Sequence, residues 1–90
     1  MTLLRIEKYN DIDIKYYLTE KSGEFNEFGI YVSYGKDDWE VKALSSDLEF
    51  MTDLINTLAD SLTLPDYVQE LCEEALLEQV FIEDRRKNEH

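Results

Sequence analysis

The stretch WEVKALSSDLEFMTDLINTLADSL, Trp39 to Leu62, changes its hydrophobic period partway along. Trp39, Val41 and Ala43 alternate with Glu40 and Lys42, the pattern of a strand with one buried face. From Ser46 onward, Leu48, Met51, Leu54, Ile55, Leu58, Ala59 and Leu62 trace an apolar stripe at i, i+3, i+4 spacing. Ser46 and Glu49 stand at capping-box separation, and Asp47 suits the positive end of a helix dipole in the first turn. The chain therefore passes from sheet to helix near Ser46, and the stripe predicts a helix over about residues 47–62.

Toward the N-terminus the period of two persists. Leu4 and Ile6, then Ile12, Ile14, Tyr16 and Leu18, then Phe28, Ile30, Val32 and Tyr34 alternate with polar residues. Turn chemistry separates the runs: Asn10-Asp11, Lys21-Ser22-Gly23, and Gly35-Lys36-Asp37-Asp38. Such short connections predict antiparallel hairpins, hence a three- or four-stranded β-meander over about residues 3–44. Its second face is expected to carry Lys15, Tyr17, Tyr31, Glu40 and Lys42, with Arg5 and Glu7 on it if the first strand pairs. Toward the C-terminus, Thr63-Leu64-Pro65 opens a second helix, expected over about 65–82, with Val68, Leu71, Cys72, Ala75, Leu76 and Val80 as its stripe. Arg85, Arg86 and Lys87 follow in a basic tail, residues 85–90, expected to fray. The predicted fold is a single α+β domain over residues 1–84, its meander packed on one face by a C-terminal pair of helices.

The charge is as uneven as the pattern is regular. From Ala43 to Asp84 there are eleven acids and no Lys or Arg, a local charge of −11 in a chain whose formal net charge is −12. Mixed signs support helices and like signs oppose them. The repelling pairs Glu49–Asp53, Asp66–Glu70, Glu70–Glu74 and Glu74–Glu78 together cost on the order of 1–2 kcal/mol before salt screening. Direct binding to nucleic acid or anionic lipid is disfavoured by this charge. No apolar run approaches the ~20 residues that span a bilayer, and the N-terminus lacks a signal-peptide pattern, so a cytoplasmic location is expected.

Catalytic groups are scarce. His90 is the only histidine and the last residue, and Cys72 is the only cysteine and falls on an apolar stripe among acids. Burial and neighbouring carboxylates raise a thiol's pKa, the opposite of what a nucleophile needs. The three glycines form no phosphate loop. Asp11-x-Asp13 and Asp37-Asp38-x-Glu40 lack calcium-loop spacing, and the latter pair of aspartates suits a hairpin turn. The expectation is a non-enzyme without cofactor or metal site.

The acids suggest a different role. Asp66, Glu70, Glu74 and Glu78 recur every four residues with Glu73 beside them, while Glu49 and Asp53 lie opposite the first helix's stripe. Arg forks bind carboxylate and phosphate in similar bidentate geometry, so such a surface suits a groove built for nucleic acid. Tyr17, Tyr31 and Phe25, with Phe81 near the helix end, are candidate water-excluding anchors beside the charge.

The order Tyr16-Tyr17-Leu18-Thr19, Phe28-Gly29-Ile30-Tyr31-Val32, a helix, then Leu62-Thr63-Leu64-Pro65 and an acidic last helix resembles an uncharacterised family of small Firmicutes proteins, a domain of unknown function, over about residues 13–77. That family implies no site. In physical type the chain also resembles phage-encoded anti-CRISPR and anti-restriction inhibitors that imitate DNA. The expected function is a small acidic inhibitor that binds the positively charged nucleic-acid-binding surface of a nuclease or defence protein. The alternative is a regulatory or self-associating module, a homo-oligomer in contact through its sheet, whose acidity serves solubility only.

Overall fold

The computed structural model describes residues 1–21, 23 and 26–88, with side chains as far as Glu78. Four antiparallel strands, β1 (Thr2–Tyr9), β2 (Ile12–Lys21), β3 (Glu27–Tyr34) and β4 (Asp37–Ser45), lie side by side in chain order. Helices α1 (Leu48–Asp60) and α2 (Pro65–Asn88) follow and cover one face of the sheet. The expected α+β meander is thus present, with four strands.

Local chemistry explains the connections. Asn10 and Asp11 both take positive φ, 51° and 64°, forming a two-residue turn of type I′ geometry that favours Asn and Asp. Between β3 and β4 only Gly35 and Lys36 turn, with Gly35 at φ 60°. Asp37 and Asp38, expected in that turn, instead begin β4, because a glycine at the first turn position closes the hairpin in two residues.

Two irregularities decide which residues face the helices. In β1 the register shifts between Leu3, opposite Tyr17, and Arg5, opposite Tyr16. Leu4 is the extra residue, and it packs against the core. Beyond this bulge the strand's faces exchange. Arg5 and Glu7 turn to the helix side, whereas Ile6 points out and is 50 % exposed. The expectation that Leu4 and Ile6 share the apolar face, with Arg5 and Glu7 on the open one, is therefore overturned. In β4 three residues, Lys42 to Leu44, oppose the single Gly29. Ala43 is consequently exposed at φ 53° and does not continue the buried alternation. Gly29 has no room for a side chain, since a Cβ there would collide with the Val41 carbonyl oxygen and lie 2.7 Å from Thr19 Oγ1.

The core joins Ile14, Tyr16, Ile30, Val32 and Val41 of the sheet to Met51, Leu54, Ile55, Leu58 and Ala59 of α1 and Val68 and Cys72 of α2. Tyr16 is fully buried, and its hydroxyl donates to the Thr63 carbonyl at 2.9 Å, pinning the helix junction to β2. This satisfies both polar groups where water is excluded.

Three helix ends differ from the sequence reading: α1 begins one residue later and ends two earlier than expected, and α2 ends six later. Asp47, not Ser46, caps α1: its Oδ1 accepts from the Phe50 amide at 3.2 Å, while Ser45 Oγ accepts from the Asp47 amide. The cap's third helical residue is then Phe50, which leaves Glu49 without the reciprocal bond of a capping box. At the other end, the Thr63 amide donates to the Leu58 carbonyl and the Leu62 amide to that of Ala59, a Schellman closure with Leu62 at φ 53°. Leu62 is therefore outside the helix. Helix α2 runs to Asn88, past the expected end near residue 82, because no glycine or proline follows Pro65.

Candidate functional site: an acidic helix layer

Nine of the acids between Ala43 and Asp84 have described side chains, and three of them have structural partners. Asp47 caps α1. Asp60 accepts from Arg5 Nη2 at 3.1 Å, within a cluster where Arg5 also donates to Asn56 Oδ1 at 3.0 Å and pairs with Glu7. Glu7 foremost, then Asp60, raises the Arg5 pKa. Glu73 Oε1 accepts from Gln69 Nε2 at 3.0 Å, and Gln69 Oε1 accepts from Trp39 Nε1 at 3.1 Å, a chain that ties α2 to β4.

Six remain: Glu49, Asp53, Asp66, Glu70, Glu74 and Glu78. All are exposed, and among the described residues the ion pairs are those of Arg5 alone. On α2 the four-residue spacing exceeds the helical repeat, so three steps rotate the row by about 120° around the axis. Asp66 starts on the flank nearer β4, where Glu73 also lies, Glu70 crosses the crest, and Glu74 and Glu78 reach the cleft facing α1. The four carboxylates thus form an inclined ridge rather than a file parallel to the axis. Glu49 and Asp53 occupy the side of α1 away from that cleft, which Leu54, Thr57 and Leu58 line. The helix layer carries negative charge on both helices with no Lys or Arg between Ala43 and Asp84.

Two of the expected anchors, Tyr17 and Tyr31, are not beside these acids. Tyr17 and Tyr31 pair across β2 and β3 on the face opposite the helices, with ring centroids 5.6 Å apart. The Tyr31 hydroxyl donates to Asp38 Oδ2 at 2.7 Å, a bond that raises the Tyr31 pKa. Phe25 lies outside the described residues, as does the side chain of Phe81. On that open face Lys8, Lys15 and Lys42 alternate with Asp13, Asp38 and Glu40, so its charges balance.

Apolar surface does adjoin the acids at the helix junction. Tyr9, Leu62, Thr63, Leu64, Tyr67 and Leu71 line a shallow recess of about 450 Å³. It shares Ser61, Thr63 and Leu71 with a smaller cleft of about 180 Å³ between the helices, whose walls include Glu74 and Glu78. Sequence reasoning placed Leu62 in the α1 stripe and Tyr9 in no site. Only the Schellman turn brings them together, and a leucine where glycine is usual gives no cue to it.

Cys72 is fully buried, and burial, then the charge of Glu73, pushes its thiol up to about 12. It packs rather than reacts. No group of three or more His, Cys, Asp and Glu suited to a metal ion occurs among the described residues. In the same residues no helix is long and apolar enough to cross a membrane. No family model, curated protein or solved structure matches this chain, so no residue role reaches it from a relative.

Proposed function

We propose that this chain is a non-enzymatic binding protein whose acidic helix layer occupies a basic surface of another protein, a surface that otherwise holds nucleic acid. The observation that carries the reading is the set of six exposed carboxylates on α1 and α2 without an ion pair among the described residues. Repulsion within a fixed array is a standing cost, and a Lys- and Arg-lined groove converts it into attraction and rapid approach. Glu70, Glu74 and Glu78 form the centre of the contact, with Glu49, Asp53 and Asp66 widening it. A nuclease or related defence protein, inhibited by imitation of its DNA, fits this chemistry. Tyr17 and Tyr31 face away and are left out of the contact.

Affinity capture tests the proposal. The immobilised protein is exposed to bacterial lysate and eluted first with duplex DNA, then with a salt gradient. The reading expects a nucleic-acid-binding protein that duplex DNA displaces and salt releases. Capture indifferent to both would contradict it.

A further inference from the structure

The recess at the helix junction and the cleft between the helices are one trough, since Ser61, Thr63 and Leu71 line both. Its floor is apolar: Leu54, Leu58 and Leu71 in the cleft, Leu62, Leu64 and Tyr67 at the wider end. Its rim is acidic. Glu74 and Glu78 stand in the cleft wall, and Glu70 follows Tyr67 by three residues on the same stripe of α2. Leu62 and Tyr67 are 39 % and 57 % exposed, so the floor at this end is open to solvent.

Leu62 adds a separate clue. It sits at φ 53°, in the left-handed region where a leucine is strained and a glycine is not. The residue is 39 % exposed, so part of its apolar surface stays in water. Strained backbone of this kind clusters at ligand clamps and other functional sites.

We infer that this trough is a docking site for a Lys- and Arg-rich amphipathic helix of a partner protein. Apolar side chains of that helix, spaced at i and i+3 or i+4, would rest on Leu62, Leu64, Tyr67 and Leu71. Its cations would meet Glu70, Glu74 and Glu78. This is the helix-in-groove mode of recognition, in which the apolar row supplies affinity and the flanking charges fix orientation. The inference rests on the proposed function and names an anchor that adjoins the acidic layer among the described residues. A partner that is only basic would be steered to the surface but not held there.

The test uses two lysine-rich helical peptides of equal length and charge, one with a leucine row and one with alanine in its place. Binding is read by fluorescence anisotropy on the wild type and on the Leu62→Gly and Tyr67→Ser variants. Glycine suits the backbone at position 62, and Tyr67 is largely exposed, so both variants keep the fold. The leucine peptide is expected to bind about ten-fold or more tightly than the alanine peptide. Each variant should remove most of that advantage while leaving the alanine peptide unaffected. Equal affinity for the two peptides, or a leucine advantage that survives both variants, would overturn the trough and leave the acidic layer standing. Failure of both peptides to bind would overturn the trough and the acidic layer together. A wild-type dimer that Leu62→Gly dissolves would give the trough to a second copy, which also overturns the inference.

Discussion

Tyr16 and Cys72 are buried without being ionised, and this sets the molecule's response to alkali. Burial pushes both groups up to about 12, from ordinary values of 10.0 and 9.0. The folded state therefore keeps protons that the unfolded chain has already lost. The contribution of these two groups should be constant below about pH 8, where both are protonated folded or unfolded, and fall as pH rises toward about 12. Tyr16→Phe should flatten the part of that decline above about pH 10 and leave the part belonging to Cys72. At neutral pH it should cost about 1–3 kcal/mol in urea denaturation, because the Thr63 carbonyl loses its buried donor. Ala43 makes the opposite case. It is exposed in the left-handed region, so Ala43→Gly should raise stability by about 1 kcal/mol in the same measurement. The period of the sequence identified Tyr16 as core, but not its bond to a carbonyl 47 residues away.

Among the elements, α1 offers the sharpest contrast between two readings of one cap. Asp47→Ala should destabilise the protein by about 1 kcal/mol, whereas Ser46→Ala should stay within about 0.5 kcal/mol. The reverse order would restore the capping box that Ser46 and Glu49 suggest. Sheet and helices were otherwise readable from periodicity, because strands buried on one face and amphipathic helices leave unambiguous spacings. The bulge at Leu4 was not. Leu3, Leu4 and Ile6 supply apolar residues for either register, so nothing local reveals that Arg5 and Glu7 turn toward α1. Arg5 finds Asn56 and Asp60 more than 50 residues away, a contact that only the assembled fold creates. The inclination of the acidic ridge, by contrast, follows from the helical repeat and was within reach of the sequence.

For the whole molecule the dominant fact is charge confined to one layer. The helices bear exposed acids with no Lys or Arg from Ala43 to Asp84, while the open face of the sheet mixes lysines with acids in balance. Repulsion of on the order of 1–2 kcal/mol is screened by salt. The melting temperature should accordingly rise by about 4–8 °C per kcal/mol relieved on going from low to high NaCl concentration. A melting temperature that falls with salt would mean that attraction from Arg5, or from the cations beyond Asp84, outweighs the repulsion. The most direct measurement is displacement of labelled duplex DNA from the captured partner by the wild type and by a variant combining Glu70→Lys, Glu74→Lys and Glu78→Lys. The wild type should displace the duplex, and the folded variant should do so at least about ten-fold less well, with a shallower dependence on salt. Equal displacement by both proteins would contradict an acidic helix layer as the surface that binds.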